Sequence, residues 1–219
     1  MIGIKATVLA NDQPIGGDRH DSATAFGEVN RLTEYITPDN TDIQNKYDQL
    51  TSTLPSIEDK IIACLRYVAD YPYTPSVRVK SDIMGITRVR NDVWLLPAQA
   101  MHAPKLNCAN RSFFLVSLLR QELPADQLWA VCGNLNVDHQ DGHAWCMVRL
   151  DRDYILEPTN ESVKAKLIPL EATAMYEDIV YFNDNEVRVV PGKQIREPFS
   201  ACFNCIPWLG DYLAKEFCL

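Results

Sequence analysis

The chain has 219 residues, 47% of them hydrophobic and 23% charged, which is the make-up of one globular domain with extensions and excludes a disordered or fibrous chain. Its 21 basic and 29 acidic residues give a net charge of −8, which argues against indiscriminate binding to nucleic acid or to an anionic membrane surface. No run of about 18 apolar residues offers a membrane span, and the opening Met1-Ile2-Gly3-Ile4-Lys5 lacks the basic and apolar regions of a secretory signal.

Seven cysteines, an odd number scattered mostly through apolar segments, read as reduced thiols and not as a disulfide framework, so a cytoplasmic setting is expected.

In chain order, residues 1–10 suggest a short strand and residues 11–21 a loop rich in Gly, Asp and Pro. Thr37-Pro38-Asp39-Asn40 is a turn leading into a helix whose Ile43, Tyr47 and Leu50 share one face. A second helix begins near Ser56, with Asp59 completing an approximate capping box. Its stripe of Ile57, Ile61, Cys64, Leu65 and Val68 ends at Tyr71-Pro72-Tyr73-Thr74-Pro75, where proline cannot continue the hydrogen-bond ladder. Residues 76–106, which include Trp94, read as a long irregular connection, and such a connection inside a compact domain points to function.

Asn107 can cap a helix from Cys108 to about Glu122. Phe113, Phe114, Leu115, Val116, Leu118 and Leu119 make that helix apolar nearly all round, so it belongs at the centre of the core. Three strand-like runs follow, at 128–137, 143–150 and 154–158, and Asp151-Arg152-Asp153 turns the last two into an antiparallel hairpin. Residues 173–176 suggest a short helical turn. Residues 178–182 and 186–190 suggest a further hairpin across Asn183-Asp184-Asn185. Helices followed by antiparallel strands make an α+β pattern.

Cys108, His143 and Glu157 carry the chemistry. A nucleophilic sulfur must be a thiolate, and the unpaired N–H groups at a helix start favour negative charge there. A histidine takes the thiol proton and later protonates the leaving group, and a carboxylate holds the ring in one orientation. His143 opens one hairpin strand and Glu157 closes the next, so both come to one end of the sheet. A tight turn at 151–153 sets His143 opposite a position near 161, which requires a bulge or strong twist to bring Glu157 within reach.

Other clusters are weaker. His139 and His143 lie about 13 Å apart on an extended strand, too far to share one ion, so no metal is expected. Cys202-Phe203-Asn204-Cys205 has no second pair at zinc-site spacing and reads as packing.

These residues resemble the core of the transglutaminase-like superfamily. The resemblance rests on Asn107-Cys108-Ala109-Asn110 opening a Leu-rich helix, then Gly142-His143-Ala144-Trp145, then Leu156-Glu157-Pro158-Thr159, with Tyr71-Pro72-Tyr73, Trp94 and Pro97 upstream. It covers roughly residues 31–185. Two positions depart from the superfamily pattern: Glu157 stands where an aspartate is usual, and Leu106-Asn107 where Gly-Asp is frequent.

The resemblance implies a papain-like α+β core, with a central helix packed on an antiparallel sheet. It also implies a Cys108–His143–Glu157 triad that forms an acyl-enzyme, and an oxyanion held by the Cys108 N–H with Trp94 or Gln99 as further donor; Trp145 itself reads as core or pocket wall. The expected organisation is an N-terminal extension over 1–30, a catalytic domain over 31–190 and a tail over 191–219. The expected function is a cysteine-dependent peptidase or amidase that needs no cofactor and acts on a protein or peptide. Acyl transfer to an amine, or a catalytically silent binding module, are the alternatives, and no oligomeric state is assigned.

Overall fold

The computed structural model describes residues 5–8, 32–75, 79–83, 86–90, 94–135, 143–160, 162–172 and 176–190. The other residues, which include His139, Cys202 and Cys205, lie outside the described ones.

The helices start where side chains can satisfy their first N–H groups. Helix α1 (Thr41–Thr51) begins after Asn40, whose side chain accepts from the N–H groups of Asp42 and Ile43. Helix α2 (Ile57–Ala69) is capped by Ser56, whose hydroxyl oxygen accepts from the Asp59 N–H at 3.1 Å and donates to the Asp59 carboxylate at 2.8 Å. Ile43 and Tyr47 of α1, and Ile61, Cys64, Leu65 and Val68 of α2, are buried as their helical spacing requires.

The connection over 76–106 is more ordered than the sequence suggested. Strands β1 (Lys5–Val8), β2 (Val79–Ile83) and β3 (Ile86–Arg90) form a three-stranded antiparallel sheet in that order. Short α3 (Pro97–Ala100) then starts on a proline at its first position. The β-branched residues Ile86, Thr87 and Val89 are the strand signal that the run's high polarity masked.

Helix α4 (Cys108–Leu119) is the centre of the fold, and all twelve of its residues are buried. It stops at Leu119, one turn short of Glu122, and the Arg120 guanidinium is drawn to Asp184 at 2.6 Å. One face of a six-stranded antiparallel sheet lies against it: β4 (Leu128–Leu135), β5 (His143–Arg149), β6 (Asp153–Leu156), β7 (Ile168–Pro169), β8 (Tyr176–Phe182) and β9 (Val187–Val189), in the order β7-β6-β5-β4-β8-β9.

Ala130, Cys132, Ala144, Cys146 and Val148 face the helix within the main core, and their small side chains let helix and sheet approach closely. The alternate residues Trp129, Val131, Trp145, Met147 and Ile155 form a second buried cluster, as the two-residue period of a strand demands. Cys146 and Trp145 accordingly belong to opposite faces.

Residues 173–175 of the expected helical turn lie outside the described ones; a 3-10 turn stands just before them at Leu170–Ala172, and Tyr176 belongs to β8. Strand β6 ends at Leu156 and not at Pro158, because the Glu157 carboxylate accepts the Thr159 N–H at 2.9 Å and Pro158 has no N–H to give the ladder.

Candidate active site

Three elements bring three chemically active groups together. Cys108 is the first residue of α4, and the Asn107 side chain caps that helix by accepting the Asn110 N–H at 2.9 Å. The approach to Cys108 is pinned by backbone bonds: the Leu106 N–H donates to the Pro72 carbonyl, and the Thr74 N–H to the Leu106 carbonyl, both at 3.0 Å. The sulfur therefore sits at the positive end of the helix dipole.

His143 opens β5 opposite Gly133 of β4, and Glu157 follows the last residue of β6. Strands β5 and β6 pair Cys146 with Leu156 and Arg149 with Asp153. Carried one step further, this register sets Glu157 opposite Trp145, so Glu157 is a diagonal neighbour of His143. Diagonal pairs on one face lie within reach of long side chains. The expected four-residue gap and its bulge are thus corrected: the hairpin register is two residues tighter, and the extra methylene of glutamate spans the diagonal.

The His143 Nε2 and the Glu157 Oε2 are 2.7 Å apart. The ring also shares a hydrogen bond with the Cys108 side chain, and with Nε2 given to the carboxylate, Nδ1 is the nitrogen left for the sulfur. Glu157 is 1% exposed yet richly bonded. Its Oε1 accepts from the Thr159 N–H and hydroxyl, and its Oε2 accepts from the Tyr176 hydroxyl at 3.2 Å as well as meeting the ring.

Burial pushes against charge on both partners, and the pairing overcomes it. Burial alone would lower the His143 proton affinity, but the Glu157 carboxylate and then Cys108 raise its pKa from 6.5 to about 10. Burial alone would raise the Glu157 pKa, but the His143 ring and the Thr159 bonds hold it below the ordinary carboxylate value. Cys64, Cys108, Cys132 and Cys146 are all buried, and none forms a disulfide among the described residues. Away from this constellation burial suppresses the thiol: it pushes Cys64 up to about 12 and lifts Cys132 and Cys146 far above their ordinary value.

Trp145 stacks on the His143 ring, with centroids 5.9 Å apart and planes 25° from parallel. Tyr176 meets Trp145 edge-on at 5.0 Å. Gly133 makes room for this stack, since a Cβ there would lie 2.7 Å from the Trp145 ring and 2.1 Å from the Glu177 carbonyl oxygen.

Trp94 lies wholly buried against Tyr35 and Phe113, and its Nε1 has no hydrogen-bond partner among the described residues. The Gln99 side chain is turned to α3, where its Oε1 accepts the Leu96 N–H at 3.0 Å. Among the described residues, no group of three or more His, Cys, Asp or Glu side chains is gathered to hold a metal ion, and no helix is long and apolar enough to cross a membrane.

Sequence reasoning passed over Tyr176, Gly133 and Arg111. The first two are visible only once β8 and β5 are known to flank β4. Arg111 did carry a signal, as a lone cation in a helix apolar nearly all round.

No protein-family model and no curated protein matches the sequence. Several solved structures match by shape. Legionella pneumophila LapG aligns with a TM-score of 0.50 and 15% identity over 68% of this chain and 77% of its own. Calcium-bound LapG from the same organism aligns with a TM-score of 0.50 and 15% identity over 80% and 87%. A candidate cysteine protease from Cytophaga hutchinsonii aligns at 0.43 and 14% identity over 76% and 55%. The likeness is one of architecture: the chain has an α+β fold of the papain-like, transglutaminase-like kind, with a central helix packed on an antiparallel sheet.

Proposed function

We propose that the protein is a cysteine-dependent acyl hydrolase acting on an amide carbonyl of a protein or peptide. The observation that supports this reading is the junction at His143, whose ring meets the Glu157 carboxylate at 2.7 Å through Nε2 and shares a hydrogen bond with the Cys108 side chain. The resemblance of the three motif blocks to the transglutaminase-like core points to the same chemistry.

In this reading the Cys108 sulfur, as thiolate, forms a bond to the carbonyl carbon, and the π electrons move to oxygen. The Cys108 backbone N–H, at the start of the helix, serves as oxyanion partner. Trp94 Nε1 and the Gln99 Nε2 amide are the two candidate further donors; the cap made by the Gln99 oxygen leaves its amide N–H groups able to donate. The protonated His143 gives its proton to the leaving amine as the C–N bond breaks, which leaves a thioester. His143 then removes a proton from water, the resulting hydroxide attacks the thioester, and the thiolate departs with the imidazolium restored. Glu157 keeps the ring oriented and stabilises its charge.

The test combines alkylation with turnover. At pH 6, iodoacetamide followed by peptide mapping should label Cys108 ahead of Cys64, Cys132 and Cys146, and hydrolysis of small thiol-reactive esters and of a denatured protein should vanish in Cys108→Ala. A Cys108 that stays unreactive until about pH 8.5, the range of an ordinary thiol, or a Cys108→Ala variant that still hydrolyses, would sink the proposal. Added primary amine that captures the acyl group in place of water would redirect it to acyl transfer.

A further inference from the structure

We propose that Arg111 is a positioning residue, which clamps the loop carrying Glu157 onto the helix carrying Cys108 and so fixes the carboxylate relative to the sulfur. Arg111 lies three residues after Cys108 on α4, one turn along the same side of the helix. Its Nη1 donates to the Pro158 carbonyl at 2.6 Å, and Pro158 directly follows Glu157. Its Nη2 donates to the Tyr71 carbonyl, in the segment whose Pro72 and Thr74 hold Leu106 just ahead of Cys108. The guanidinium also sits 5.2 Å from the centre of the Tyr73 ring. One planar fork thus ties together the end of β6, the turn after α2 and the start of α4.

A cation that is 2% exposed is costly to bury for packing alone. An apolar residue would suit the core of this helix better, unless rigid, directional donors are needed at this point. Lysine cannot replace the fork, because its ammonium is a single point and does not span two carbonyls in a fixed plane. The need is geometric. Strand β6 ends at Leu156, so the Glu157 backbone lies beyond the ladder, and its Thr159 bonds are internal to the same loop. The Arg111–Pro158 bond is an external restraint that refers this loop to the nucleophile's own helix. Misplacement of such a group by about 1 Å costs on the order of a hundredfold in rate.

The inference rests on the Cys108–His143–Glu157 reading above, and its test separates the two. The His143 ring is titrated by NMR, and hydrolysis is followed, in the wild type and in Arg111→Lys. Arg111→Gln, which leaves no charge to bury, is measured alongside it. The expected result is a folded Arg111→Lys protein whose His143 midpoint falls from near 10 toward 6.5, and whose kcat drops tenfold or more with KM within about threefold.

If the wild-type His143 midpoint is near 10 and the variants keep both that midpoint and wild-type kcat, the clamp is refuted while the site stands. If the wild-type ring itself titrates near 6.5, the site reading fails and the clamp falls with it. If neither variant folds, Arg111 is structural and the positioning role is overturned.

Discussion

Glu157→Gln isolates the charge in the proposed triad while keeping the shape of the side chain. In the folded protein His143 keeps its proton to about pH 10, compared with 6.5 for an ordinary histidine. At about 1.4 kcal/mol per tenfold change, that gap is on the order of 5 kcal/mol in favour of the imidazolium. Burial works against this preference, and Glu157 is the largest influence supporting it, ahead of Cys108. An opposite charge at hydrogen-bond distance typically moves a pKa by about 1 to 3, so the neutral amide should bring the midpoint down to between about 7 and 9.

The chain has four histidines, which makes ring signals assignable by comparison with His143→Gln. Loss of ring orientation and imidazolium stabilisation should lower kcat/KM at neutral pH by about 10² to 10⁴, with the alkaline limb of the pH profile moving down alongside the NMR midpoint. A Glu157→Gln protein that is folded and still titrates near 10 would refute the reasoning, because the proton would then be held by something other than the carboxylate.

The same shifts set the pH dependence of stability. The raised His143 stabilises the fold fully below 6.5, and that contribution drains away as pH climbs through about 10. The lowered Glu157 stabilises above the ordinary 4.5 and is lost as pH falls through its folded value; urea midpoints across this range check both signs, and Glu157→Gln should flatten the alkaline slope. Gly133→Ala places a Cβ against a fixed carbonyl oxygen and the Trp145 ring, so it should cost about 1–3 kcal/mol in chemical denaturation and displace the ring from His143, which the His143 ring-current shift reports. Tyr176→Phe removes one of the bonds to the carboxylate, so it should cost about 1–2 kcal/mol and move the acid limb of stability to higher pH. Asn107→Asp keeps the cap but adds a negative charge beside Cys108, so alkylation at pH 6 should slow several-fold while thermal stability holds.

Much of the candidate site's local geometry was legible because its parts are local signals. An Asn followed by a helix apolar nearly all round, a His-Ala-Trp strand and a Glu-Pro-Thr strand end each announce their own geometry, and the hairpin turn at 151–153 brings two of them to one end of the sheet. The exact register was not legible. Turn length estimated from Asp151-Arg152-Asp153 missed the pairing of Arg149 with Asp153 by two residues, and that difference decides whether His143 and Glu157 touch.

Strands β2 and β3 were hidden because neither Val79–Ile83 nor Ile86–Arg90 alternates apolar and polar residues, and β2 pairs with β1, more than 70 residues away. Tyr176 and Gly133 matter through the adjacency of β4 to both β5 and β8, a fact of topology that no local window contains. Arg111 was readable as an oddity, but its two carbonyl partners come from segments 40 and 47 residues distant.

In the proposed triad Cys108 would carry negative charge at neutral pH because His143 carries the matching positive one. Thiolate absorbs near 240 nm where thiol does not, so the decisive measurement is the 240 nm absorbance of the wild type minus that of Cys108→Ser, followed from acid to alkaline pH. The expected result is a difference equal to one thiolate already present at neutral pH and lost in His143→Ala. A difference that stays at zero until the pH passes about 8.5, where an unassisted thiol ionises, would contradict it.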